Sequence, residues 1–430
     1  MGQMAEAKRI FSSVEFWAIP ILWSAGFLIY GTSFPFDYDS VNYALAIVDS
    51  FNPSLQQPQP PGYFFHVLFG QLLHSLIQNP FRILQIQGIF YMTIMLTVLF
   101  LIPAGRGVRL FLCMFPLPLF FAGAPVIYGA SLGFSALLCY LVIQVIQRRC
   151  SPVALAAIFG IAIGFRQDLS LFLLPAVLCA LWKYRPAFTQ SFIIALIFSI
   201  CTASWFVPTR LLSKQPPVDS SMEIFHVFAK SSSIFLGASP SEALRCAIRF
   251  ALYGIGVFGP AGIVYLAACW KRSASDKRVL LLLGTSPCVL FGLLIHGPKP
   301  GYYGPALGFF LVWSLWAARP GLRSRWWIAL ALCNVLFFAF IPPVQSPVSG
   351  TLLDKFADRF SVIGACGAAE LLQTRTGMRR LDKAFNRCPC IDTAGTSIDM
   401  RTLDYLTRYR WHTIVDTISG SNCCSIRSDP

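Results

Sequence analysis

Apolar runs separated by short polar breaks fill the chain from about residue 16 to residue 342. The first is Phe16 to Tyr30. Others follow at 83–103, 109–128, 131–147, 152–165, 168–182, 189–208, 245–270, 279–296, 302–318 and 326–342. Most approach the roughly 20 residues that a helix needs to cross a bilayer. In lipid each segment must satisfy its own backbone hydrogen bonds, and a helix does so. The pattern predicts an all-α polytopic membrane protein with about 11 transmembrane segments. The 152–165 and 168–182 runs are short and flank Arg166-Gln167-Asp168, so they read as half-spans or a re-entrant pair. The first run has no small-x-small cleavage site behind it and reads as an uncleaved signal anchor.

Two stretches between the first and second runs are amphipathic instead. Asp39 to Phe51 places Val41, Ala44, Leu45 and Val48 on one helical face; Gly62 to Leu76 does the same with Phe65, Leu68, Phe69, Leu72 and Leu73. They predict helices lying in the membrane interface. The corner between them, Pro58-Gln59-Pro60-Pro61-Gly62, cannot be helical, because each proline removes a donor and restrains the residue before it.

Composition agrees: 56% of residues are hydrophobic and 12% charged, where a soluble domain is nearer a quarter charged. The net charge of +15 would suggest nucleic acid in a soluble protein. Its distribution removes that need. With Lys8 and Arg9 placed in the cytoplasm, the cytoplasmic loops receive Arg106 and Arg109, Arg148 and Arg149, Lys183 and Arg185, Lys271 to Arg278, and Arg319 to Arg325. The expected arrangement is a multi-pass protein of the cell (inner) membrane, with the N-terminus inside, the C-terminus outside and no nucleic-acid partner. Residues 1–345 form the membrane part. Residues 346–430 are polar enough for a small extracytoplasmic α/β appendage, with strands expected at 361–366 and 411–415. The appendage holds Cys366, Cys388, Cys390, Cys423 and Cys424; disulfides are permitted outside the cytoplasm, and the spacing does not suit zinc.

The predicted outer face collects the residues able to do chemistry. Asp39 stands in a loop without Lys or Arg. It serves either as a helix N-cap or as a general base whose desolvation tunes it to the working pH. Asp37 is a solvated neighbour or an assistant. Pro58 to Tyr63 is either no more than a stiff corner or a loop pre-organised over a site, in which Gln59 can hydrogen-bond a sugar hydroxyl and Tyr63 can stack on a ring. Arg166 and Asp168 either neutralise each other in a helix break or present Arg166 to a phosphate, which its planar fork suits. His296 and Lys299, in the turn before Tyr302, face a phosphate or lipid head groups. There is no nucleotide-binding glycine signature and no His-Glu-x-x-His sequence.

Asp39-Ser40-Val41-Asn42-Tyr43-Ala44, Gln57-Pro58-Gln59-Pro60-Pro61-Gly62-Tyr63, Gly164-Phe165-Arg166-Gln167-Asp168 and Lys299-Pro300-Gly301-Tyr302, in this order and on one side, form a pattern. It resembles the GT-C superfamily of polytopic glycosyltransferases, which includes lipid A aminoarabinose transferases, protein O-mannosyltransferases and lipopolysaccharide sugar transferases of rhizobial type. The resemblance covers roughly residues 10–345. It implies transfer of a sugar from a polyprenyl-phosphate donor to a lipid, glycan or protein acceptor at the outer face, usually with inversion. It gives Asp39 the catalytic role and Arg166 and Lys299 the donor phosphate. Many relatives carry His where this chain has Gln59; Gln neither transfers a proton nor binds metal well. No cofactor is assigned, and a divalent metal is the one left open. Two other readings stand beside this one: a transporter or flippase of lipid-linked sugars, and a catalytically inactive relative that binds or assembles.

Overall fold

The computed structural model describes residues 13–31, 38–53, 57–58, 62–213, 240–294, 300–318, 324–341, 367–372, 374–376, 391–392 and 424–425. The helices, in order, are α1 Val14–Tyr30, α2 Tyr38–Val48, α3 Phe64–His74, α4 Pro80–Leu101, α5 Arg106–Cys113, α6 Pro116–Gly123, α7 Tyr128–Ile146, α8 Pro152–Phe165, α9 Asp168–Tyr184, α10 Phe188–Leu212, α11 Pro240–Arg272, α12 Ser275–Leu294, α13 Gly304–Ala318 and α14 Ser324–Phe340. A 3₁₀ turn, Pro300–Tyr303, leads into α13. The protein is an all-α membrane protein. Among the described residues four helical stretches are long and apolar enough to cross a bilayer: α4, α7, α10 and Phe250–Arg272 of α11. The bent pair α5 and α6, which meet at 56°, makes a fifth when counted as one. The break falls at Met114-Phe115, immediately before Pro116, whose ring cannot continue the preceding helix.

Three helices that run the same way form the centre. Gly129 of α7 lies against Gly88 of α4, and a Cβ at Gly133 would strike the backbone of Tyr91 on α4. On the other side of α7, a Cβ at Gly308 of α13 would strike Ser135 and the Leu132 carbonyl. Small residues let the backbones approach closely, which substitutes for the hydrophobic drive that lipid surroundings remove. Helices α8, α9 and α12 pack outward from this centre, and α10 lies against α8.

The amphipathic pair adopts helices where expected, with altered faces. α2 is buried around its whole circumference: Ser40, Asn42 and Tyr43 are enclosed along with Val41, Ala44 and Leu45. α3 presents its opposite face to the protein and leaves part of its apolar face outside. His66, Val67 and Gly70 are buried, while Leu68 and Leu72 are exposed. Polar side chains in a lipid-facing protein point to the bundle interior and leucines point out. Gln71 accordingly donates to the Ala46 carbonyl of α2 at 2.9 Å.

Ile391–Asp392 and Cys424–Ser425 pair in parallel, with Ile391 opposite Cys424. The strands expected at 361–366 and 411–415 lie outside the described residues, as do Cys366, Cys388, Cys390 and Cys423. Residues 368–372 and 374–376 are helical and pack onto the membrane part, where Leu371 is fully buried.

Candidate functional site

Helix ends make the site. α7 and α9 begin there, α8 ends there, and the Pro300–Tyr303 turn closes it. α2 contributes its first turn and the chain entering α3 contributes Tyr63.

Arg166 is the centre. It follows α8 with extended backbone, φ −149° and ψ 103°, so its side chain leaves the helix axis and turns into the protein. It is 2% exposed. Its Nε donates to Asp168 Oδ1 at 3.0 Å, and a terminal nitrogen contacts Asp168 Oδ2. Its faces are covered by aromatic rings, Tyr128 at 4.8 Å and Tyr63 at 5.3 Å from guanidinium carbon to ring centroid. Guanidinium is attracted to the negative face of a ring, more strongly where water is excluded. Because an arginine keeps its proton in a protein, the arrangement is a fixed cation with one carboxylate on one edge and the remaining terminal nitrogen on the other.

Tyr63 reaches Arg166 through an unusual backbone. Gly62 has φ 113° and Tyr63 has φ 45°. The left-handed region suits glycine and strains a residue with a Cβ. At Gly62 a side chain would also press on Phe51 and Thr209, each with an atom 3.0 Å from where its Cβ would stand. The turn brings Tyr63 edge-on to Tyr43 of α2, 5.6 Å between centroids. Burial pushes the Tyr63 phenol up to about 12, so at neutral pH it is an uncharged donor.

Asp39 lies inside the first turn of α2, where the helix dipole favours a negative charge. Tyr128 donates its hydroxyl to Asp39 Oδ2 at 3.2 Å. The Tyr128 ring meets Tyr302 at 6.0 Å, and Gly301 lies so close that any Cβ there would enter the ring. Tyr128 thus touches the first loop, Arg166 and the Pro300–Tyr303 turn at once.

Behind Tyr43 stands His66, 5.4 Å away between ring centroids. Its Nδ1 shares a hydrogen bond of 2.8 Å with the Tyr91 hydroxyl, and its Nε2 has no partner among the described residues. Burial, reinforced by the Arg166 charge, holds the imidazole down at about 3, so it is neutral at physiological pH. α3 has only 11 residues and does not cross a bilayer.

Five of the residues singled out by sequence come together: Asp39, Tyr63, Arg166, Asp168 and Tyr302. Asp37, Gln59, His296 and Lys299 lie outside the described residues. The break at Arg166 holds the Arg–Asp pair that one of the two sequence readings foresaw. Sequence reasoning missed Tyr128, Tyr43, His66 and Tyr91. Tyr128 left one signal, its position at the expected outer end of the run 109–128. The carboxylates of the site, Asp39 and Asp168, are taken up with Tyr128 and Arg166. Among the described residues no group of three or more His, Cys, Asp and Glu is placed to hold a metal ion.

The arrangement offers a carboxylate and a fixed cation on either side of one tyrosine, enclosed by aromatic rings. Compared with family models, with curated proteins and with solved structures, the chain finds no match.

Proposed function

We propose that the chain is an integral-membrane glycosyltransferase of GT-C type, which moves a sugar from a polyprenyl phosphate to a hydroxyl on a lipid, glycan or protein acceptor. The observation that carries this reading is the joining of three segments distant in sequence, 39–63, 166–168 and 300–303, around Arg166 and Tyr128. In this reading the acceptor oxygen attacks the anomeric carbon as the bond from that carbon to the phosphate oxygen breaks. The acceptor proton passes to Asp39, and the bonding pair leaves with the phosphate. Charge grows on that phosphate in the transition state, where Arg166 and Lys299 stabilise it. The reading gives Asp37, Gln59, His296, Tyr63 and Tyr302 roles in binding the sugar and phosphate, and Asp168 the role of holding Arg166. Arg166, Asp168, Tyr63 and Asp39 are in place before the substrate arrives, which supports catalysis by positioning.

The finer topology belongs to the same proposal. Counting the short and bent helices gives about 11 crossings. Residues 1–345 form the transferase part and 346–430 the extracytoplasmic region. Arg148, Arg149, Lys183, Arg185, Lys271, Arg272, Lys277 and Arg278 sit at helix ends opposite those carrying Tyr128, Arg166 and Asp168. That polarity supports a site facing away from the cytoplasm of the inner membrane.

The test is transfer in nanodiscs from a panel of radiolabelled polyprenyl-phosphate sugars to native membrane extract. Wild type should transfer label, and Asp39→Asn should transfer it at least about a hundredfold more slowly. Full transfer by a correctly inserted Asp39→Asn protein sinks the mechanism. Absence of transfer from every donor, with donor binding intact, moves the weight to a flippase or an inactive relative.

A further inference from the structure

A carboxylate and a guanidinium enclosed in the same water-poor site attract each other strongly, because the low dielectric leaves the charges unscreened. Left alone, Asp39 and Arg166 would close into an ion pair. Each would then be lost to its task, the carboxylate as proton acceptor and the cation as phosphate ligand. Two features hold them apart. Asp168 engages Arg166 by Nε and a terminal nitrogen. Tyr128 stands between, with its ring on the guanidinium at 4.8 Å and its hydroxyl on Asp39 Oδ2 at 3.2 Å.

We propose that Tyr128 is a positioning residue that keeps base and cation separate: its ring spaces Asp39 from Arg166, and its hydroxyl fixes the orientation of the Asp39 carboxylate. The inference rests on the glycosyltransferase reading. Tyr128 is itself held firmly. It is the first residue of α7, Gly301 admits its ring by lacking a Cβ, and Phe121 stacks on it at 6.4 Å and 24°. A residue that touches all three converging segments sets their mutual distance. Ring and hydroxyl do separate work, which makes the inference separable by substitution.

Tyr128→Phe keeps the ring and loses the hydroxyl. Tyr128→Ala loses both. Single-turnover transfer and equilibrium binding of polyprenyl phosphate, the leaving group itself, are measured in nanodiscs for both variants, wild type and Asp39→Asn. Tyr128→Phe should slow transfer about tenfold, the size of one hydrogen bond to a charged group, with polyprenyl phosphate affinity within about twofold of wild type. Tyr128→Ala should lose transfer and weaken polyprenyl phosphate binding as well, as Arg166 closes on Asp39. In Tyr128→Ala, the further change Asp39→Asn removes the competing carboxylate and should restore binding of polyprenyl phosphate. A purely structural role for Tyr128 would not give that restoration. Full transfer by Tyr128→Phe beside an inactive Asp39→Asn overturns the inference alone. Weakened binding that Asp39→Asn does not restore overturns it too. Full transfer by Asp39→Asn removes Asp39 as the base and overturns this inference with it, whereas absence of transfer by wild type from every donor overturns the glycosyltransferase reading itself.

Discussion

α7 and α10 are about equally apolar, yet 72% of the apolar window of α7 is buried inside the protein and only 17% of that of α10. Hydropathy does not separate them; side-chain size does. α7 opens with Gly129, Ala130, Ser131 and Gly133, followed by Ser135 and Ala136, and these surfaces accept α4 and α13 at backbone distance. α10 presents Phe192, Ile193, Leu196 and Ile200 outward. Bulky apolar side chains face lipid at no cost, whereas between helices they would hold the backbones apart. α7 carries Tyr128 on its first turn, so this close helix packing sits directly behind the proposed chemistry.

The largest effect should come from breaking that packing. Gly133→Leu would drive a side chain into the backbone of Tyr91. It should abolish recovery of monodisperse protein from detergent, as size-exclusion profiles of fluorescent fusions would reveal. Asp168→Ala comes next. It leaves a buried guanidinium without its carboxylate and should cost about 3–5 kcal/mol in unfolding experiments. Asp168→Asn should cost less, since the amide oxygen still accepts from Nε.

A smaller effect concerns pH. His66 is neutral when folded, with its titration held at about 3, and near 6.5 when the chain is unfolded. Between those values the unfolded chain binds a proton that the folded one refuses. The contribution of this residue is therefore complete above about pH 6.5 and is lost progressively as pH falls toward 3. Melting temperature should decline from pH 7 to pH 5 in wild type, and less steeply in His66→Gln. An equal slope in the two proteins would remove His66 from the account. The smallest effect should be on α10. Leu196→Ala, on the exposed face, should shift stability by no more than about 0.5 kcal/mol. A loss comparable to Gly133→Leu would mean that this face is an interface and not a lipid surface.

Much of the architecture is legible as alternation of apolar runs with breaks, because the bilayer imposes one length and one backbone solution. The helices 38–48 and 64–74 follow from apolar periodicity and the interruption at Arg166 from charges between two short runs, whereas the break before Pro116 falls inside 109–128, which reads as one continuous run. The surroundings of α2 do not follow either. Its single apolar stripe reads as one face laid on the membrane, but Ser40, Asn42 and Tyr43 on its other sides are enclosed as well. Which side meets lipid depends on neighbours that periodicity cannot supply. In the site, charged residues in odd places were visible one at a time. Tyr128 was not, since a tyrosine at the end of an apolar run is ordinary until Asp39, Arg166 and Gly301 are all seen to touch it.

The carbonyls that end α1 have a further consequence. Leu28 and Ile29 accept from Arg375 Nη1, at 3.2 Å and 2.9 Å, across a separation of some 347 residues. Leu371, four residues earlier, fills the space beside Gly123 and Tyr30. In a chain threaded into the membrane as it is made, this contact therefore forms only after some 347 further residues have followed Leu28. Until then water must serve the two carbonyls, so the bond that ties the end of α1 joins parts of the chain made at widely separate times.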